Sequence, residues 1–162
     1  GDEQGAEFNP RLDISGCLKA LEERFGGKWI FFIRMHHFVK GEHFKNCIDA
    51  SDYPDMQELL YLPHAFITDY FSTIWDYSLT FKPGFLFVPD LKKYSQERSF
   101  YTAPETWAFP YAETNEQLQQ LIKSYSETEN QRKINEHHKL LGIKEKGSAC
   151  EQMGNLIKEF CS

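Results

Sequence analysis

The sequence predicts an α/β fold, a Rossmann-like parallel sheet with helices on both faces. Three observations predict it. Short apolar runs from Trp29 to Ile33, Ala65 to Thr68 and Phe85 to Val88 read as strands buried on both faces, because a strand with one wet face alternates apolar and polar residues. Segments with helical spacing separate the runs, as parallel strands require a long crossover. Polar side chains gather where the runs end, at Arg34 and His36, at Asp49 and Ser51, and from Asp69 to Thr73. Ligands of parallel sheets bind outside the carboxyl ends of the strands, so this distribution marks one rim as the functional edge.

Each element follows in order. Gly1 to Pro10 is polar and aperiodic and reads as a disordered lead with Gly1 as a cloning remnant, which leaves residues 11–162 as one domain. Leu12 to Phe25 is an amphipathic helix capped by Asp13, with Ile14, Leu18, Leu21 and Phe25 on one face and Gly26-Gly27 as its stop. The strand from Trp29 to Met35 then delivers Arg34 and His36. A short strand from Cys47 to Asp49 leads to Asp52-Tyr53-Pro54-Asp55, a helix start with Pro in its first turn, and a helix to Leu62. The next two strands are the Ala65 and Phe85 runs, with a helix from Ser72 to Thr80 between them. In the C-terminal third, Thr114 caps a helix from Asn115 to Ser126, the polar stretch from Ser124 to Asn130 opens another, and Ala149 to Phe160 forms the last. Leu118, Leu121, Ile122, Leu140, Leu141, Met153, Ile157 and Phe160 are the apolar anchors expected to pack these helices back on the sheet.

Composition excludes several classes. With 162 residues, 41% hydrophobic and 15% aromatic, the chain can bury one real core. A formal net charge of -6 disfavours DNA and RNA as partners. Cys17, Cys47, Cys150 and Cys161 form no CxxC pair and fit reduced thiols in a cytosol. There is no signal peptide and no apolar run near the roughly 20 residues that span a membrane. His36-His37 with His43, and His137-His138, lack zinc spacing, so no metal is expected. GxSxG, GxxxxGK[ST] and GxGxxG are absent.

The stretch from Pro63 to Pro83 concentrates the chemistry. An apolar strand runs into Asp69, Ser72 and Thr73 at a helix start, with Asp76 one turn further on. Free amides and the dipole at a helix start favour a pyrophosphate without a metal, and an acid four residues after Ser72 shares its helix face and can reach a ribose. Helix capping is the ordinary alternative for Asp, Ser and Thr here. His36 and Arg34, alternating in direction with Met35, would meet the same phosphate from the neighbouring strand end.

Three runs carry a resemblance. FFIRMHHF from Phe31, DASDYPDMQELLYLPHAFITDYFSTIWDYSLTFKP from Asp49 and DLKKYSQERSFY from Asp90, in that order, resemble the C-terminal half of the CDP-glycerol glycerophosphotransferase family, the teichoic acid polymerase type enzymes of bacterial cell walls. The likeness is dense from Trp29 to Tyr101 and looser beyond, where Lys146-Gly147-Ser148-Ala149 resembles the family's small-residue start of the last helix. It implies one lobe of a GT-B glycosyltransferase architecture, the lobe that binds the donor nucleotide. His36 then matches a strand-end histidine that acts in catalysis, Ser72 and Thr73 match paired serines, Asp76 matches a ribose-binding acid, and Arg98 lies in an ERGFY-like segment near the active site. Two positions depart from the pattern, His37 in place of proline and Phe71 within a Tyr-Ser-Ser run.

The implied donor is CDP-glycerol, with no cofactor. A hydroxyl of a teichoic acid-like or polysaccharide acceptor attacks the phosphorus next to glycerol, and CMP leaves. An N-terminal half would bring the catalytic base, the acceptor and peripheral contact with the inner face of the cell membrane, so this cytoplasmic lobe alone should bind without turnover. Another GT-B nucleotide-sugar lobe, and a non-catalytic binding domain that uses the aromatics Tyr94, Phe100, Tyr101 and Trp107, are the alternatives.

Overall fold

A computed structural model describes residues 12–35, 46–98, 100 and 102–161. Its helices are α1 (Ile14–Phe25), α2 (Met56–Tyr61), α3 (Thr73–Ser78), α4 (Leu91–Glu97), α5 (Asn115–Lys123), α6 (Glu127–Leu141) and α7 (Ala149–Cys161). Its strands are β1 (Phe31–Ile33), β2 (Cys47–Asp49), β3 (Phe66–Thr68), β4 (Gly84–Phe87) and β5 (Tyr111–Ala112). Every strand pair is parallel. β1 pairs with β2, Phe31 opposite Cys47, and β3-β4-β5 form a second sheet with Thr68 opposite Leu86 and Leu86 opposite Tyr111. Among the described residues the expected single sheet is therefore two ladders. Trp29 and His64, just before β1 and β3, meet edge to face at 6.3 Å and bridge them.

The core is organised by β4, buried along its whole length. Successive side chains of a strand point to opposite faces. Phe85 and Phe87 join Cys17, Ala20 and Leu21 of α1 and Leu118 and Ile122 of α5 on one face. Leu86 and Val88 join Leu60 of α2, Ile74 and Tyr77 of α3 and Ile134 of α6 on the other. Each Leu, Ile, Val or Phe among them contributes about 1.5–3 kcal/mol by leaving water. Helices on both faces of a parallel sheet are what an unbroken apolar run requires. Gly84 opens the strand because a Cβ there would stand 2.6 Å from ring carbons of Phe109.

Asp13 caps α1 as expected, accepting from the Gly16 N–H, and Gly26 and Gly27 stop it at φ 73°. Its buried stripe is Ile14, Cys17, Ala20 and Leu21, with Leu18 and Phe25 at the margin, so the small thiol of Cys17 lies at the α1–α5 contact. Burial, with a smaller push from Asp13, raises that thiol to about 12. α2 starts later than expected: Asp55 is the cap, accepting from Gln57 and Glu58, and Pro54 precedes it.

The C-terminal helices divide. α5 carries a full capping box between Thr114 and Gln117 and packs on α1. α6 holds the turn from α3 to β4: buried Asn130 donates to the Phe81 and Lys82 carbonyls at 3.0 and 3.4 Å, and Ser78 Oγ meets His138 Nε2 at 2.7 Å. Leu140, Leu141, Met153, Ile157 and Phe160 do not anchor anything here. They are exposed, Phe160 by 83%, and α7 buries no residue among those described.

Candidate functional site

Because β3 and β4 are parallel, their carboxyl ends lie on one edge, and residues 69–73 and 88–90 leave from it. The Asp69 carboxylate accepts the Phe71 N–H at 3.1 Å, a side-chain turn that swings the chain into α3. The expected long helix is short, six residues, and ends in tighter bonds from Leu79, Thr80 and Phe81 back to Asp76, Tyr77 and Ser78. Its dipole is correspondingly smaller, so the hydroxyls carry more of any anion binding than the sequence suggests.

Ser72 occupies the cap position in a helical conformation, φ -61° and ψ -16°, and makes no side-chain cap bond. Its exposed hydroxyl is left out of capping. Thr73 Oγ1 is buried with no hydrogen-bond partner among the described residues. Ile74, Tyr77 and Ser78 take the buried side of α3, while Ser72 and Asp76 are exposed. The four-residue spacing therefore does place the hydroxyl and the acid on the solvent side.

Sequence reasoning missed how the rim is tied together. The Tyr70 hydroxyl donates to Asp90 Oδ1 at 2.9 Å, which joins the segment after β3 to the one after β4. Burial, then this bond to a carboxylate, hold the phenol well above its ordinary range. The Tyr70 ring lies on Tyr94 of α4 at 3.7 Å and 16°, and Tyr94 continues the stack to Phe100 at 5.3 Å. The Arg98 guanidinium, past the end of α4, stands 5.7 Å from the Tyr94 ring centre. Asp90, Tyr94, Arg98 and Phe100 thus converge with Tyr70 from 20 to 30 positions away, a contact that no local spacing signals.

Arg34 ends β1 and is exposed. Its Nη1 donates to the Tyr53 carbonyl at 2.5 Å, and the Met35 N–H donates to Ser51 Oγ at 3.0 Å, so the ends of β1 and β2 are tied to each other. Arg34 thus belongs to the β1–β2 ladder, and Asp69, Ser72, Thr73, Asp76 and Arg98 to the β3–β4 edge. His36 lies outside the described residues. Among the described residues no group of three or more His, Cys, Asp or Glu side chains is placed to hold a metal, and no helix is long and apolar enough to cross a membrane.

A parallel α/β lobe whose polar residues collect at the carboxyl edge of its strands has the layout of a nucleotide-binding lobe. The family described as CDP-Glycerol:Poly(glycerophosphate) glycerophosphotransferase matches residues 2–159, and the chain belongs to it. It is 31% identical over 130 residues to the teichoic acid glycerol-phosphate transferase of Staphylococcus aureus, covering 77% of this chain and 32% of that protein. It is 28% identical over 165 residues to the teichoic acid ribitol-phosphate primase of Bacillus spizizenii, covering 99% of this chain and 41% of that protein. The structure of the wall teichoic acid polymerase TagF superposes with a TM-score of 0.73 and 24% identity over 98% of this chain and 41% of that one. A TagF variant soaked with CDPG gives 0.69 and 27% over 88% and 38%. The chain spans roughly a third to two fifths of these relatives, 32% and 41%.

Proposed function

We propose that this chain is the donor-binding lobe of a CDP-glycerol-dependent glycerophosphotransferase, residues 11–162 forming the lobe and residues 1–10 a lead into it. In the whole protein a hydroxyl of a polyol-phosphate acceptor attacks the phosphorus of CDP-glycerol that carries the glycerol oxygen, the bond from that phosphorus to the bridging oxygen breaks, and CMP leaves. The observation that carries this reading is Ser72: in a chain of this family, the hydroxyl at the start of α3 is exposed and not used to cap the helix.

The work of such a lobe is positioning and charge stabilisation, since phosphoryl transfer asks little covalent chemistry of the protein. Ser72 and Thr73 donate to the donor pyrophosphate and Asp76 accepts from the ribose. Arg98, and Arg34 from the neighbouring ladder, offset the developing phosphate charge. His36, outside the described residues, is the catalytic residue that this reading assigns to the lobe. Asp69 completes the donor-binding set at the turn it shapes, where its carboxylate accepts the Phe71 N–H. The whole protein works in the cytoplasm at the inner face of the membrane, where its lipid-linked acceptor lies.

A second reading concerns the polyol alone. The ribitol-phosphate primase relative matches across nearly the whole chain, which favours weighing CDP-ribitol beside CDP-glycerol. Calorimetric titration with CDP, CMP, UDP, CDP-glycerol and CDP-ribitol tests both readings, with Asp76→Ala and His36→Ala alongside. Binding of the cytidine diphosphates, weaker binding of UDP and loss of binding in Asp76→Ala support the donor lobe. Equal binding of UDP, or a wild-type chain that binds no nucleotide, refutes it.

A further inference from the structure

We infer that Tyr94 is a positioning residue of the donor site, holding the Arg98 guanidinium at the carboxyl edge of β3 and β4 while Tyr70 and Asp90 hold Tyr94. This rests on the donor-lobe reading above. Arg98 is exposed at the end of α4, in extended backbone at φ -137° and ψ 143°, and no ion pair among the described residues uses it. An arginine in that position samples many rotamers unless something fixes its plane. Here a ring does so: the guanidinium stands 5.7 Å from the Tyr94 centroid, within the roughly 6 Å reach of a cation–π contact. A ring leaves the charge available to a phosphate, where a carboxylate partner would compete for it.

Tyr94 is itself held. Its ring lies 3.7 Å and 16° from Tyr70 and 5.3 Å and 18° from Phe100. Tyr70 cannot slide away, since its hydroxyl donates to Asp90 at 2.9 Å. Tyr70 also follows Asp69, whose turn aims the chain at Ser72. The Arg98 charge and the Ser72 hydroxyl are thereby fixed with respect to the same ring, although 26 positions of sequence, 72 to 98, separate them.

The test combines a spectroscopic signature with coupling. In wild-type chain the Arg98 δ protons are shifted upfield by the ring current of Tyr94; Tyr94→Phe keeps that shift and Tyr94→Leu abolishes it. Tyr94→Leu weakens CDP binding about tenfold, Tyr94→Phe does not, and in an Arg98→Ala background Tyr94→Leu adds less than about twofold, the non-additivity expected of two residues acting as one unit. Should Tyr94→Leu fail to fold, Tyr70→Phe, which removes only the Asp90 bond, is expected to reduce the Arg98 shift and to weaken CDP about threefold only while Arg98 is present. Unshifted Arg98 protons in wild-type chain, or losses that multiply in the double variant, overturn the positioning role alone. A wild-type chain that binds no nucleotide overturns the donor-lobe reading and this role with it.

Discussion

Ser72→Ala separates a ligand-binding hydroxyl from a capping one. A serine that caps a helix is worth about 1 kcal/mol, in a range of roughly 0.5–2, through the bond its oxygen accepts from the first turn. Ser72 makes no such bond, so its removal is expected to change folding stability by less than about 0.5 kcal/mol, the usual size for an exposed side chain without a partner. A hydroxyl that donates to a phosphate is different: losing a hydrogen bond to a charged group costs about 1.5–3 kcal/mol, or roughly 10- to 150-fold in Kd. Thr114→Ala is the reciprocal control. Its side chain accepts the Gln117 N–H within a complete capping box, so its hydroxyl is already engaged, and its loss should lower stability by about 1 kcal/mol and leave CDP affinity unchanged. Urea denaturation and calorimetric titration of both variants read the two quantities. If Ser72→Ala loses about 1 kcal/mol of stability while CDP binds as before, the serine is a cap and the reasoning about the site fails.

Thr73→Val should stabilise the chain by about 1 kcal/mol, because it replaces a buried hydroxyl without a partner by a methyl of the same shape, and should weaken CDP binding; a destabilised variant refutes this. Asn130→Ala removes the donor that the Phe81 and Lys82 carbonyls share, where Phe81 sits at φ 57°, and should cost about 1–3 kcal/mol, measured as a lower urea midpoint against exposed Asn135→Ala as control. Gly84→Ala forces a methyl against fully buried Phe109 and should cost about 1–3 kcal/mol, so an unchanged midpoint counts against the packing described. Desolvation lowers His137 and His138 below their ordinary 6.5, so as pH falls through that value the unfolded chain takes up protons that the folded chain refuses. Stability is therefore retained above about pH 6.5 and lost below it, by at most about 1.4 kcal/mol per pH unit for each ring; urea curves at about pH 7.5, 6.5 and 5.5 that show stability rising on acidification exclude this.

What the sequence made legible follows from which interactions are local. β4 announces itself because a strand covered on both faces must be apolar throughout, and Asp13, Gly26-Gly27 and Thr114 act within one helical turn of themselves. β5 is two residues long and α4 buries nothing, so neither leaves a periodic signal. Within Asp52-Tyr53-Pro54-Asp55, Tyr53 is drawn into a turn by its N–H bond to the Ala50 carbonyl, and the cap falls to Asp55. The last helix shows the converse: Met153, Ile157 and Phe160 do recur at helical spacing, but periodicity says that a face is apolar and not what lies against it. At the site, Ser72, Thr73 and Asp76 were readable because a helix start arranges them within four residues. Tyr70, Asp90 and Tyr94 were not, since they meet only after the sheet has brought two strand ends together.

The same division explains why the rim is built as it is. α3 is too short to hold its own geometry, as isolated helices of far more turns are marginal in water. It is held from below: Ile74 and Tyr77 enter the core under Leu86 and Val88, Trp75 stacks on His137 at 4.6 Å, and Ser78 reaches His138 on α6. Every one of these contacts uses the buried side, and together they leave Ser72 and Asp76 outward, neither side chain bonded to another among the described residues. Thr73 sits at the boundary, where folding alone would favour valine. A hydroxyl kept there against its desolvation cost, beside one left out of capping, is the local departure from foldability expected of the donor site proposed above.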